Sequence, residues 1–218
     1  MDAFILEGIK YMDILDIVEL KMPLQKVTCF FGESGSGKTT LLRLLNHLIT
    51  PDSGKIFFMG EDLDELKPVE LRRRVVMLPQ TPVVFPGNVE ENLLQGLVFS
   101  EKPHVSPEKL ALMMEKVKLS KDLHTPAGVL SGGEKQRLAL ARILLMDPDV
   151  FLLDEPSSAL DELTEKLILD SLTEYTSSKG KTLIMVTHNR RIGEFYADYT
   201  VFLEKGRIQK KAEVAAGE

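Results

Sequence analysis

The octapeptide GESGSGKT, Gly32 to Thr39, follows the apolar run VTCFF directly and leads into the helix-patterned segment KTTLLRLLNHL. Strand, glycine-rich loop and helix in that order are what the pattern G-x-x-x-x-G-K-[ST] requires. Its glycines let the backbone turn tightly and point successive N–H groups inward as an anion nest. The helix opening near Lys38 adds its positive end to the same spot. Lys38 would reach the β- and γ-phosphates of a nucleotide, and the Thr39 hydroxyl would bind Mg2+. The candidate phosphate contacts are therefore Gly32, Glu33, Ser34, Gly35, Ser36, Gly37, Lys38, Thr39 and Thr40. A Gly/Ser turn matching by accident is the alternative. Average residue usage would produce the pattern in on the order of one random chain of this length in a hundred, before the strand and helix are also required.

Short β-branched and aromatic runs alternate with helical patterns along the rest of the chain, as in an α/β sheet fold. The runs predict strands near 27–31, 55–58, 75–78, 150–153, 182–186 and 200–204. Apolar residues at three- and four-residue spacing predict helices at 38–48, 108–117, 132–146 and 163–178. From Thr81 to Ser131 there is no convincing strand, but there are five prolines and two helical patterns. This segment reads as a helical insert between parts of the sheet domain.

VFLLDE, Val150 to Glu155, places two acids where a buried strand meets its C-terminal edge, the edge at which open α/β sheets bind ligands. Asp154 is placed to hold a Mg2+ shell, and Glu155 to orient or deprotonate an attacking water. Adjacent residues of a strand point to opposite sides, so the two acids should have different jobs. The plainer alternative is that the acids simply begin a loop.

Several classes are disfavoured. Cys29 is the only cysteine, which excludes an internal disulfide and a cysteine-based metal cluster, and its neighbours make it a core thiol. A net charge of −6 argues against non-specific nucleic-acid binding, with Arg72 to Arg74 and the Lys210–Lys211 pair read as solvated faces. No apolar stretch approaches the roughly 18–20 residues of a membrane span, and the N-terminal segment lacks the parts of a secretion signal. These features predict a cytoplasmic chain.

LSGGEKQR, Leu130 to Arg137, offers a second anion site, because Ser131, Gly132 and Gly133 present a hydroxyl and backbone N–H groups at the positive end of a helix. Taken alone, Ser131 with Glu134 three positions on is also a capping box. Together with the phosphate loop and VFLLDE, in this order, the segment resembles the signature of ABC (ATP-binding cassette) ATP-binding subunits, and the resemblance covers nearly the whole chain. It implies an α/β phosphate-loop NTPase core with a mixed, mainly parallel sheet, an antiparallel β part and a helical subdomain. Residues 1–218 would form a single domain, with the subdomain at about 81–131.

The resemblance also implies site residues and partners. Gln80 looks like the glutamine that touches Mg2+ or the attacking water, and His188 like the histidine that contacts the γ-phosphate. SSALDE, Ser157 to Glu162, looks like the loop that crosses a dimer interface through Asp161. Tyr11 is either an aromatic that stacks on adenine or a core or edge residue. Asn189 follows the histidine where many family members carry Asp. The implied activity is ATP hydrolysis by a homodimer sandwiching ATP, with Ser131 to Gly133 of one copy completing the site of the other. Such a dimer drives a separate transmembrane permease from the inner face of the membrane. A non-transport ATPase acting on nucleic acid or ribosomes is the alternative, although no direct nucleic-acid contact is expected. GEDLDELKP and PQTPVVF are similar to segments of Fet-type iron exporter ATP-binding subunits, and cargo would be recognised by the permease.

Overall fold

The protein is described here from a computed structural model covering residues 1–156 and 160–213. In chain order the strands are β1 (Asp2–Tyr11), β2 (Leu15–Pro23), β3 (Val27–Phe31), β4 (Ser53–Phe58), β5 (Glu61–Asp62), β6 (Val75–Leu78), β7 (Val150–Asp154), β8 (Thr182–Val186), β9 (Tyr199–Glu204) and β10 (Arg207–Glu213). The helices are α1 (Lys38–Leu45), α2 (Pro68–Arg74), α3 (Val89–Phe99), α4 (Pro107–Lys116), α5 (Gly132–Met146), α6 (Glu162–Ser178) and α7 (Arg190–Tyr196).

Continuous runs such as VFLLD and TLIMV, buried at every residue, belong inside a parallel sheet covered on both faces. They lie in a six-stranded sheet of order β10-β9-β3-β8-β7-β6, parallel throughout except for the β9–β10 pair. Strand alternation sorts its side chains into two cores. Phe30, Val150, Leu152, Ile184 and Val186 point toward α1 and a second, four-stranded antiparallel sheet of order β2-β1-β4-β5. Cys29, Phe151, Leu153, Leu183 and Met185 point toward the layer of α3, α4, α5 and α6. Fully burying each large side chain is worth about 1.5–3 kcal/mol, so both cores hold the central sheet. The fold is therefore α/β with a mixed, mainly parallel sheet, an antiparallel β part and a helical layer.

Between β6 and β7 the described chain forms α3, α4, a 3-10 turn at Ala127–Val129 and α5, with one isolated bridge from Asn88 to Pro126 as its only β pairing among the described residues. Asn88 and Glu91 close a capping box on α3. Gly96 of α3 lets α5 approach closely, since a Cβ there would lie 2.7 Å from the Arg142 Cγ atom.

Several local expectations are corrected. The helix expected at 38–48 stops at Leu45, because Asn46 caps it and His47 adopts φ 53°. Arg72 to Arg74 are not a solvated face. Arg72 donates to the His47 carbonyl, Arg73 to the Phe99 carbonyl and Glu101, and Arg74 to Asp149 while lying 4.7 Å over the Phe58 ring. Lys210 and Lys211 are exposed, as expected, and Lys211 donates to the Glu19 carbonyl at 2.6 Å.

Candidate active site

Because β3, β6, β7 and β8 run parallel, the loops after them open on one edge of the sheet. Those loops carry Gly32 to Thr39, Gln80, Glu155 and His188, four segments far apart in sequence.

The loop after β3 needs its glycines. Gly37 caps α1 at φ 102°, and a Cβ there would lie 2.6 Å from the Leu15 side chain. At Gly32 a Cβ would lie 2.1 Å from the Leu203 carbonyl oxygen. Ser34 and Gly35 face solvent, and the Ser36 carbonyl accepts the Gly206 amide at 3.1 Å. The Lys38 ammonium folds back into the loop, donating to the Gly32 carbonyl at 2.7 Å, the Glu33 carbonyl at 2.8 Å and the Ser36 hydroxyl at 3.3 Å. Burial holds Lys38 below the ordinary lysine range, opposed by the charges of Glu155 and Asp154. A cation kept partly desolvated beside backbone carbonyls is ready for stronger, anionic acceptors.

The two acids have separate partners, although not for the reason strand alternation suggests. Asp154 ends β7, is 3% exposed and accepts the Thr39 hydroxyl at 2.8 Å. Burial raises its pKa, the Thr39 hydrogen bond opposes that, and the neighbouring Glu155 charge adds to it. Glu155 has left the strand for the left-handed region at φ 48°. That turn aims its carboxylate at Gln80, whose amide donates to Oε2 at 2.8 Å, and brings His188 Nδ1 within 3.4 Å of the same oxygen. A non-glycine residue held in this conformation costs of order 1 kcal/mol and recurs at functional sites.

Thr39 and Asp154 supply a hydroxyl and a carboxylate, the hard oxygens that Mg2+ prefers. No group of three His, Cys, Asp or Glu side chains suited to a metal occurs among the described residues. The donor set therefore fits an ion that completes its shell with water and phosphate oxygens.

At α5 the capping box and the anion-site reading coexist. The Ser131 hydroxyl accepts the Glu134 amide at 3.3 Å, and the Glu134 carboxylate accepts the Ser131 amide at 2.9 Å. First-turn amides have no partner within a helix, so those of Gly132 and Gly133 still mark its open end. Ser131 lies on a different loop from the Glu155 cluster, and no contact joins it to Lys38 or Glu155 within the chain among the described residues. Asp161 caps α6, accepting the Thr164 amide at 3.0 Å and its hydroxyl at 2.7 Å. Ser157 to Ala159 of the same segment lie outside the described residues. Tyr11 ends β1, opposite Leu15, half-buried against the core under the antiparallel sheet. The turn after it packs on the phosphate loop through Leu15.

Two further residues support the site, Gln136 within the LSGGEKQR segment and Arg142 beyond it. Gln136 is fully buried and donates to the Pro156 carbonyl at 3.1 Å, tying α5 to the turn that carries Glu155. Arg142 donates to the Val83 carbonyl at 2.8 Å and the Asn92 carbonyl at 2.8 Å, holding the segment after Gln80 onto α5. The signal for Arg142 is a polar residue on a helix face that should be apolar.

The family model described as ABC transporter matches residues 15–158. Protein STAR1 of Oryza sativa subsp. japonica is 38% identical over 200 residues, which span 90% of this chain but only 57% of STAR1. Phosphate import ATP-binding protein PstB 2 of Aliivibrio fischeri is 36% identical over 89% of this chain and 75% of its own length. A solved structure, the dimeric post-hydrolysis state of the ATP-binding cassette MJ0796 bound to ADP and Pi, shares the fold. Its TM-score is 0.86 over 97% of this chain and 99% of that one, at 24% identity. The family match includes Gly32 to Thr39, Gln80, Ser131 and the Asp154–Glu155 pair, and it takes in well over half of the sequence. On that ground the chain belongs to the ABC transporter family.

Proposed function

We propose that the chain is the ATP-hydrolysing subunit of an ABC transporter, working as two copies around ATP and driving a separate transmembrane permease. The observation that carries this reading is the meeting of Gln80, Glu155 and His188 beside the Thr39–Asp154 pair on one sheet edge. Such a cluster joins a water-orienting carboxylate to a phosphate loop.

In this mechanism Lys38 exchanges its loop carbonyls for β- and γ-phosphate oxygens. The amides from Gly32 to Gly37 and the hydroxyls of Thr39 and Thr40 surround the phosphates. Thr39 and Asp154 would hold Mg2+, which when bound neutralises charge developing on the transferred phosphoryl group. Glu155 orients the attacking water and accepts its proton, and the Gln80 amide fixes the carboxylate for that task. His188 lies beside the same oxygen, from where it donates to the γ-phosphate.

The opposite anion surface, Ser131 to Gly133, comes from the second copy, with Asp161 near the same interface. A phosphate bridging two copies makes their association depend on ATP, and hydrolysis removes the bridge. The dimeric MJ0796 cassette supports this arrangement by likeness of fold. The helical part at about 81–131 is the side that meets the permease, where Val83, Val98 and Phe99 are 55%, 53% and 51% exposed. No helix among the described residues is long and apolar enough to cross a membrane, so the chain would sit peripherally on the inner face beside its partner.

The test is Glu155→Gln, followed by ATPase assay and gel filtration with ATP and Mg2+. Hydrolysis should fall about 10²–10³-fold while an ATP-dependent dimer accumulates. A persistent monomer with undiminished hydrolysis would refute both the dimer and the role of Glu155.

A further inference from the structure

The first turn of α5 contains a conflict. A carboxylate at the third helical position favours the helix itself. The same negative charge opposes a second anion arriving at the same helix end. Glu134 is that carboxylate, and the open end beside Ser131 is where the partner copy's phosphate would arrive.

Lys121 resolves the conflict. Its ammonium lies 2.9 Å from Glu134 Oε1, with the two side chains 36% and 20% exposed. The other oxygen, Oε2, stays with the Ser131 amide at 2.9 Å. The Ser131 oxygen is occupied as an acceptor by the Glu134 amide, so its own hydroxyl proton remains available to donate. Lys121 is delivered by a fixed segment, because Leu123 and Thr125 accept the Glu90 and Val89 amides at 2.9 and 3.0 Å.

The other capping box shows that this lysine is not needed for capping. Asn88 and Glu91 close the same reciprocal pair at 2.8 and 2.9 Å, and no cation pairs with Glu91 among the described residues. A counterion appears at the box that faces the proposed nucleotide and not at the one that does not. The Lys121 hydrogen bond is also the main cause holding the Glu134 carboxyl down to about 2, ahead of the Ser131 amide, so that carboxylate stays charged at any working pH.

We infer that Lys121 is a positioning residue for the nucleotide: it cancels the Glu134 charge that would repel the partner copy's phosphate and leaves Ser131 aimed at it. This rests on the reading that Ser131 to Gly133 complete the ATP site of a second copy.

The experiment measures the ATP concentration at half-maximal dimerisation, in the full chain with Mg2+ and in the Glu155→Gln background. Lys121→Met should raise that midpoint roughly tenfold, the size expected from one uncompensated charge near a phosphate across partly aqueous space. Adding Glu134→Gln, which keeps the cap but removes the charge, should return it to the level of Glu134→Gln alone. The gap should shrink at about 1 M salt, where the Debye length is about 3 Å. Thermal melting of the monomer should be the same with and without Lys121→Met, and Lys121→Gln serves if that variant is poorly folded.

An unchanged midpoint in Lys121→Met, or a double variant as impaired as the single one, overturns the assignment. Ser131→Glu separates this from the underlying reading. If Ser131→Glu blocks dimerisation while Lys121→Met has no effect, only the lysine's role fails. If Ser131→Glu dimerises normally, the two-copy site itself fails.

Discussion

Arg142 is a buried cation with no carboxylate partner among the described residues, and replacing it tests whether neutral acceptors alone can justify its burial. The side chain is 7% exposed and makes three hydrogen bonds, to the Asn92 carbonyl at 2.8 Å, the Val83 carbonyl at 2.8 Å and Asn92 Oδ1 at 2.9 Å. Hydrogen bonds to a charged group are worth about 1.5–3 kcal/mol each. The low end applies because Asn92 Oδ1 already accepts the Phe85 amide, which gives a gross gain of about 5 kcal/mol. Stacking over the Phe85 ring, 4.7 Å from its centroid, adds about 1 kcal/mol. Burial pushes the guanidinium down to about 10, which from the ordinary value is an opposing cost of about 3 kcal/mol. The balance of about 2–3 kcal/mol favours arginine, so Arg142→Met should lower the melting temperature by roughly 5–10 °C. Arg142→Lys should be at least as damaging, because a compact ammonium keeps the charge but cannot fork to three acceptors. Urea unfolding checks both variants, with the slope unchanged if only stability moves. A methionine variant within about 0.5 kcal/mol of the parent would show that the hydrogen bonds merely offset the burial.

Two further substitutions probe the site and its support. Because burial raises the Asp154 pKa, the native state holds that proton more tightly than the unfolded chain, and the group's contribution to stability declines as pH rises from its unfolded value to its raised folded value. Asp154→Asn should therefore melt higher than the parent at neutral pH without nucleotide, while Mg2+-dependent hydrolysis falls by about 10²-fold or more; a lower melting temperature would contradict the burial argument. Gly193→Ala in α7 should cost about 2–3 kcal/mol by urea unfolding although alanine is the better helix former, since its Cβ would lie 2.2 Å from the Phe31 ring and 2.7 Å from the Cys29 sulfur. Equal or greater stability would mean that α7 slides freely over β3.

The parallel sheet was legible because its strands are buried on both faces. VTCFF, VVML, VFLL and TLIMV are apolar at nearly every position and need no alternation to be recognised. Of the antiparallel sheet only β4 was legible, as the run at 55–58. In β1 the buried residues include Leu6 and Ile9, three apart, because pairing with β4 slips between Glu7 and Lys10 around Gly8 at φ 62°. That slip breaks the two-residue period by which a half-buried strand is read. The phosphate loop, Asp154, Gln80 and His188 were legible as motifs, each at the end of an identifiable strand. What motifs could not supply was geometry. The left-handed turn at Glu155 depends on packing around it, and the Gln136 and Arg142 contacts join segments whose proximity only the fold creates.

The contact between Gly206 and Ser36 has a consequence for biogenesis. The phosphate loop leaves the ribosome before Leu203 and Gly206, which close its outer wall, and β3 pairs with β8 and β9 on its two sides. At about 5–20 residues per second, the loop must wait on the order of ten seconds or more for those neighbours. During that interval the loop lacks the wall that the Leu203 carbonyl and the Gly206 amide provide. A ligand that needs the walled loop can stabilise the chain only after β9 and β10 have paired beside β3.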